Sequence, residues 1–433
     1  MGEAFSASPV SLVRRRYARA VRAFGPESPW RLDPSVAFLN HGSFGACPVP
    51  VLDAQRALLD ALEANPMALL EREYEPRLDA ARLEVATFLG ADPEGTVVVP
   101  NATTGVSTVL RSLRFRPGDE ILTTDHEYNA VLNAIAAVAE ESKARMIVAA
   151  IPLPLRDAAE VTEAILARVT PRTRLAVVSH VTSASGLVFP IEAIVRELDR
   201  LGVDTLVDAA HAPGMVPVDV DALGAAYWTA NNHKWLCGPK TSATLVVRAD
   251  RRDRVRPLVT SHGANDPRTD RPRLWRLFDW PGTTDPTPFL SVPIAIRTLS
   301  ALHPDGLAGL LVENRDAAIR GRRRLLAAIG GEAVAPESMV GSMAAVALPG
   351  GVADTDEATI TLRNDLALRD RVEVPISGWP VPAARECIGD PPRLALLRIS
   401  CQRYVEDADV ERLVEALARR GVANLAPVAP LAG

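Results

Sequence analysis

Lysine is scarce in this chain. Of the 48 lysines and arginines in 433 residues, only Lys143, Lys234 and Lys240 are lysine, so chemistry that needs a side-chain primary amine is confined to three positions. Cysteine is nearly as rare: Cys47, Cys237, Cys387 and Cys401 are too scattered for a disulfide framework or a tetrahedral zinc site. No apolar run reaches the roughly 18 to 20 residues of a membrane span. Near the start, Arg14, Arg15 and Arg16 interrupt the apolar stretch Val10-Ser11-Leu12-Val13 before it grows into a secretory core. A protein of the reducing cytoplasm is expected. The formal net charge of −5 offers no general attraction to nucleic acid or to an anionic membrane, and neither is expected as a partner. The runs at 14–16 and 322–324 read as solvated helix faces.

With 48% hydrophobic residues the chain has an ordinary globular composition, and its length favours more than one domain. Residues 1–30 read as an arginine-rich leader of uncertain order. Residues 31–300 are expected to form an N-terminal segment and a large domain, and 301–433 a smaller one. From Pro50 to about Leu89 the apolar spacing predicts helix, broken at Asn65-Pro66. Between about 95 and 250, seven short apolar runs alternate with helix-length connections: Val97–Pro100, Glu120–Thr123, Arg145–Ala150, Leu175–Ser179, Thr205–Val207, Ala226–Thr229 and Thr244–Val247. That alternation predicts an α/β large domain with a mostly parallel seven-stranded sheet covered on both faces. Further on, helices are expected at Pro288–Leu302 and Leu307–Ala328. An α+β domain should follow, with strands near Met343–Leu348, Val372–Val374 and Leu394–Ile399 and a closing helix at Asp407–Arg419.

Polar residues recur where the strands end, which is where open α/β sheets hold ligands. Asn101-Ala102-Thr103-Thr104-Gly105 opens a helix after the first run, and its free amides with the Thr103 and Thr104 hydroxyls make an anion cradle or a simple cap. Asp125-His126-Glu127-Tyr128 follows the second run and offers a ring to stack on a flat cofactor: His126 is the first candidate, Tyr128 the second. Ser183, in the serine-rich turn after Ser179, could donate to a phenolate oxygen. Asp208 ends an apolar run, where a carboxylate is costly to bury without a strong cationic partner such as a pyridinium nitrogen, and His211 lies just beyond it. Lys234 comes 26 positions later, in Asn231-Asn232-His233-Lys234-Trp235. An amine and a carboxylate so arranged are what pyridoxal phosphate requires: one to hold the aldehyde as a Schiff base, the other to keep the ring nitrogen protonated.

Taken from Phe38 to Tyr404, these motifs and their order resemble the class V aminotransferase group of fold-type I pyridoxal phosphate enzymes, and within it the isopenicillin N epimerase-like branch. The resemblance implies that Lys234 carries the cofactor, Asp208 pairs with its ring nitrogen and His126 stacks. It implies that Thr103, Thr104, Asn231 and His233 surround the phosphate. Desulfurase relatives commonly place asparagine and glutamine where this chain has Ser183 and His211, and the resemblance implies phenolate contacts from these two positions. Arg398, in Leu397-Arg398-Ile399-Ser400, resembles the arginine that binds a substrate α-carboxylate, for which its donor fork is suited. Asn40 and His41 resemble a substrate-side segment. Thr283, in the Phe278–Asp285 loop, resembles the residue that reaches a neighbouring subunit's phosphate, which implies a homodimer with shared sites.

The expected chemistry begins with Lys234 removing the α-proton of an amino-acid-like substrate. Epimerisation is the first expectation, carbon–sulfur lyase activity the alternative, with aminotransferase, cysteine desulfurase and a non-catalytic regulatory or assembly protein behind them. Desulfurase relatives carry a persulfide-forming cysteine in the loop before the small-domain arginine, where this chain reads Ser377-Gly378-Trp379-Pro380-Val381-Pro382. No Gly-x-Gly-x-x-Gly follows an early strand, which argues against a dinucleotide oxidoreductase.

Overall fold

A computed structural model describes residues 29–424; apart from Pro29 and Trp30, the arginine-rich leader lies outside the described residues. The strands are β1 (Ala37–Phe38), β2 (Thr96–Val99), β3 (Glu120–Thr124), β4 (Arg145–Ala149), β5 (Thr173–Ser179), β6 (Asp204–Asp208), β7 (Tyr227–Asn231), β8 (Ala243–Val247), β9 (Met343–Ala347), β10 (Val372–Glu373), β11 (Ile376–Trp379) and β12 (Leu394–Ser400).

Seven of these form one sheet in the order β2-β8-β7-β6-β5-β3-β4. Its strands are apolar because helices cover both faces: β3, β7 and β8 are buried along their whole length. β8 alone runs opposite to the other six strands, so β2, β3, β4, β5, β6 and β7 all point their C-terminal ends to one edge. That common direction gathers five sequence segments, scattered over 130 or so positions, onto one rim.

A second core lies around the antiparallel sheet β11-β12-β9, with the Gly306–Ile329 and Asp407–Ala418 helices against it. Ala37 and Leu39 belong to this core, and β1 pairs parallel with β10. The start of the described chain is thus stitched to its C-terminal part, although the sequence grouped residues 31–300 together. Physically the reason is pairing at long range: two-residue strands carry no pattern of their own, and their apolar side chains go where a complementary edge exists.

The helix predicted over Pro288–Leu302 is broken into Thr287–Leu290 and Val292–Ala301, because Pro293 has no amide to continue the ladder. A helix at Asp356–Arg369 was not anticipated; it buries only Thr359 and Leu366, too little for a legible apolar stripe. Ser377-Gly378-Trp379, read as a loop, is strand β11, held by pairing Gly378 with Ala395 of β12. Among the described residues no helix is long and apolar enough to cross a membrane.

The exposed loop that carries Thr283 is anchored at its base by charge. Asp279 is buried and accepts from fully buried Arg82 at 2.5 Å and from Arg271 at 2.6 Å. Arg82 also lies over the Trp275 ring, 3.9 Å from its centre. Removing one member of such a buried pair strands the other charge, so this network resists rearrangement.

Candidate active site

The rim of the large sheet encloses a polar cleft of about 290 Å³ lined by Ser43, Phe44, Asn101, Ala102, Thr103, Tyr128, Ser179, Val181, Ser183, Asp208, Ala210, His211, Asn231, His233 and Lys234. Five of the six parallel strands, all but β4, contribute through the turn that follows them or through their last residue. Thr103, Tyr128, Ser183, Asp208, His211, Asn231, His233 and Lys234, all chosen from the sequence, therefore meet in one place.

Lys234 sits in the turn after β7, pressed between two backbone approaches. A Cβ on Gly45 would fall 2.6 Å from the Lys234 carbonyl, and one on Gly214 would fall 2.4 Å from the Trp235 carbonyl. Both glycines also have positive φ, +69° and +83°, so the turn is held in a slot that side chains would destroy. Burial lowers the Lys234 amine to about 8, and the Arg398 cation pushes the same way while Asp208 opposes. Its Nζ lies 3.1 Å from His211 Nε2, and His211 Nδ1 accepts from the Trp235 indole at 3.4 Å. Because an indole only donates, neutral His211 carries its proton on Nε2, where an uncharged Lys234 amine accepts it. Burial, reinforced by Lys234, holds His211 well below its usual pKa, in keeping with a neutral ring.

Asp208 ends β6 and is buried; its Oδ1 accepts the Ala210 amide at 2.9 Å. Burial pushes its carboxyl above the usual range, opposed by that amide and by Lys234. At the start of the Ala102–Ser112 helix, the Ala102 amide is taken by Asn231 Oδ1 (2.9 Å) and the Thr104 amide by Asn101 Oδ1 (2.8 Å). The Thr103 amide, at the cleft, has no partner among the described residues, and the helix dipole favours an anion there. His233 holds the Ser242 carbonyl through Nδ1 at 3.0 Å, and burial lowers its ring to about 4.

Arg398, on β12, reaches this rim from the second core. It is buried, burial lowers it to about 10, and its Nη1 donates to the Ser183 carbonyl while Nη2 lies 3.5 Å from Ser43 Oγ. Among the described residues its Nε has no partner. Among the described residues neither Arg398 nor Asp208 has an ion-pair partner, and an unpaired buried charge costs several kcal/mol. The first lacks an anion and the second a cation, which is the deficit that a substrate carboxylate and a pyridinium nitrogen would fill.

Other residues chosen from the sequence lie elsewhere. His126 does not line the cleft: its ring is buried between Phe189 and Trp379, 5.7 and 4.8 Å away between centres, and its Nδ1 contacts Ser185 Oγ at 2.7 Å. Tyr128, two positions on and half exposed, lines the cleft instead. Thr104 donates its hydroxyl to Asn101, behind the rim. His41 is fully buried behind the lysine turn, bonded to Tyr404 (2.7 Å) and to the Lys234 carbonyl (3.1 Å). Asn40 bridges to Ser400 and accepts from Ser43 Oγ at 2.5 Å. Thr283 is exposed on its loop. Ser43, Phe44 and Ser179 line the cleft but were not singled out; the Asn40–Gly45 turn was the available signal for the first two, and Ser179 looked like the end of a core strand.

The amine, the unpaired carboxylate, the open helix amide and the unpaired guanidinium together fit pyridoxal phosphate and an amino-acid substrate. Comparison with known proteins agrees. The aminotransferase class-V family profile matches residues 41–271. Over 401 residues the chain is 36% identical to an isopenicillin N epimerase of Amycolatopsis lactamdurans, covering 89% of this chain and 95% of the relative. It is 29% identical to an L-cysteine desulfhydrase of Arabidopsis thaliana, covering 88% and 87%. Its fold matches the cysteine desulfurase CsdA of Escherichia coli with a TM-score of 0.74 at 20% identity, over 92% of this chain and 98% of that one. The chain belongs to the class-V aminotransferase family and is a pyridoxal phosphate-dependent enzyme of fold type I.

Proposed function

We propose that the enzyme removes the α-proton of a small α-amino acid and then expels a sulfur substituent from its β-carbon, acting as a carbon–sulfur lyase. The observation that carries the first half is the Lys234–His211 contact at 3.1 Å inside a cleft flanked by Arg398. When bound, pyridoxal phosphate supplies an aldehyde that takes the substrate amine covalently and a protonated ring that accepts the electron pair left at the α-carbon. Arg398 receives the substrate carboxylate with its free donors. Lys234, uncharged in part near neutral pH, takes the α-proton, and His211 orients that amine through Nε2–H. The acquired proton is then at hand for a departing thiolate. Asp208 would keep a positive charge on the ring nitrogen, while Thr103, Asn231 and His233 would hold the phosphate.

Two further observations shape this reading. No cysteine is among the residues lining the cleft, and Cys387 is exposed on the Pro382–Cys387 helix, so the persulfide chemistry of a desulfurase has no thiol here. L-cysteine desulfhydrases recur among the relatives. Epimerisation is the second reading, favoured by the 36% identity to an isopenicillin N epimerase across 95% of its length. The same lysine would serve; a second proton donor would have to return the proton from the opposite face. Incubation with L- and D-cysteine, cystine and other amino acids in deuterated water separates them. Pyruvate, ammonia and a thiol or persulfide mark the lyase. Inverted substrate carrying deuterium at the α-carbon, with no pyruvate, would overturn it in favour of the epimerase.

Tyr128 takes the stacking role in this reading, because its ring is at the cleft and that of His126 is not. We expect Tyr128→Ala to weaken cofactor retention on dialysis by about two- to twelvefold, the range that roughly 0.5–1.5 kcal/mol for an aromatic contact gives. His126→Ala should instead lower the melting temperature. The reverse pattern would return the role to His126. The exposed Thr283 loop, braced by Asp279, is assigned to a second subunit's phosphate in a homodimer; a monomer of full activity in sedimentation would contradict that.

A further inference from the structure

Directly behind the cleft, a second carboxylate has gone unused. Glu127 lies between His126 and Tyr128 in sequence but turns inward and is buried. Its Oε1 accepts the Ser179 amide at 2.7 Å, with the Thr124 hydroxyl at 3.4 Å, and its Oε2 lies 2.7 Å from Ser179 Oγ. Among the described residues no lysine, arginine or histidine is within ion-pair distance of it. Ser179 stands between it and the ring-nitrogen carboxylate: Ser179 lines the cleft, and its Cα is the register partner of Asp208 on the adjacent strand β6. Asp208 is the charged group that bears on Glu127. His180 beside Ser179, and Asp125, His126 and Tyr128 on its own loop, are titratable neighbours in sequence; Asp125 accepts the Ile151 amide, His126 faces Ser185 and Tyr128 lines the cleft.

We propose that Glu127 is a positioning residue that holds a proton at neutral pH and, through Ser179, governs the charge seen by Asp208. Two buried carboxylates whose charges act on each other do not both ionise readily, and the one that would face a cationic ring nitrogen keeps the negative charge. Neutral Glu127 accepts the Ser179 amide on one oxygen and donates its own proton to Ser179 Oγ from the other. The Ser179 hydroxyl hydrogen is then free to point toward the cleft and Asp208. Ionised Glu127 draws that hydrogen back to itself and adds a second negative charge behind Asp208. Burial, with Asp208 adding, places that change near pH 8, against the Ser179 bonds that oppose it. The idea rests on the cofactor assignment and not on which reaction follows.

The holoenzyme and Glu127→Gln, whose amide reproduces the protonated acid's pattern of one acceptor and one donor, decide it through the absorbance of the bound cofactor as a function of pH. Glu127→Gln is expected to keep the neutral-pH spectrum and kcat within about twofold, and to lose a spectral transition that wild type shows near pH 8. A transition unchanged in Glu127→Gln overturns the proposal, and so does a hundredfold loss of kcat at pH 7, which would mean an anion is needed. If that variant does not fold, Ser179→Ala, which cuts the hydroxyl link alone, must move the transition by about half a pH unit or more; an unmoved transition again overturns it. A cofactor spectrum is read without turnover, so a wrong choice between lyase and epimerase leaves this test intact.

Discussion

Lys234→Ala is expected to abolish covalent capture of pyridoxal phosphate and to lower turnover by roughly 10³-fold or more. Borohydride reduction of the wild-type holoenzyme should fix the cofactor on the peptide containing residue 234, and peptide mass spectrometry reads the result directly. The alternatives are few: Lys143 is exposed at the end of the Asn129–Ser142 helix, and Lys240 donates to the Gly45 carbonyl at 2.6 Å and is not a cleft residue. Undiminished trapping in the variant would remove the assignment. The pH dependence follows from the same environment. Burial lowers the amine to about 8, so half of it is neutral at that pH, whereas an unperturbed lysine would be roughly 0.3% neutral. Cofactor capture by the apoenzyme should therefore accelerate as pH rises toward 8 and level off above it. A rate still climbing at pH 10 would mean that the cleft does not depress the amine.

Arg398→Met should raise KM for the amino acid by roughly 30-fold to several thousandfold, the range expected when one partner of a buried, hydrogen-bonded charge pair is lost. Cofactor affinity should change by no more than about threefold, because no phosphate-side residue touches this guanidinium. Separate titrations of cofactor and substrate read the two effects. Equal losses in both would point to a folding role, since Arg398 also ties β12 to the Ser183 carbonyl across the two cores. Arg398→Lys should recover only part of the KM effect: it restores a charge but not the planar fork that matches a carboxylate.

The strands of the large sheet were legible because each is a short apolar run of β-branched residues with turn chemistry on either side, and β5 and β6 appear within two residues of their expected ends. The site was legible for the same reason. Once the runs are parallel, the polar residues after them must converge, and Thr103, Asp208 and Lys234 did. Where the signal was weak, expectation and structure parted. Strand β11 contains a glycine and precedes a proline, so local chemistry argued for a turn, and only its pairing with β12 made it a strand. The Asp356–Arg369 helix buries one side so sparsely that no period announced it.

The residues at 126 to 128 show where the boundary falls. From the sequence came the order of elements, the parallel sheet and the types of group at its rim, because apolar periodicity and strand-end polarity are local properties of the chain. Which way each of His126, Glu127 and Tyr128 faces was settled only by the tertiary structure. In an irregular turn no periodicity sets side-chain direction. The pocket formed by Phe189, Trp379 and Ser185 draws the histidine inward, Ser179 takes the glutamate, and the tyrosine is left at the cleft. Those partners come from segments more than 50 positions away, and their burial and hydrogen bonds outweigh anything the three neighbouring residues prefer on their own.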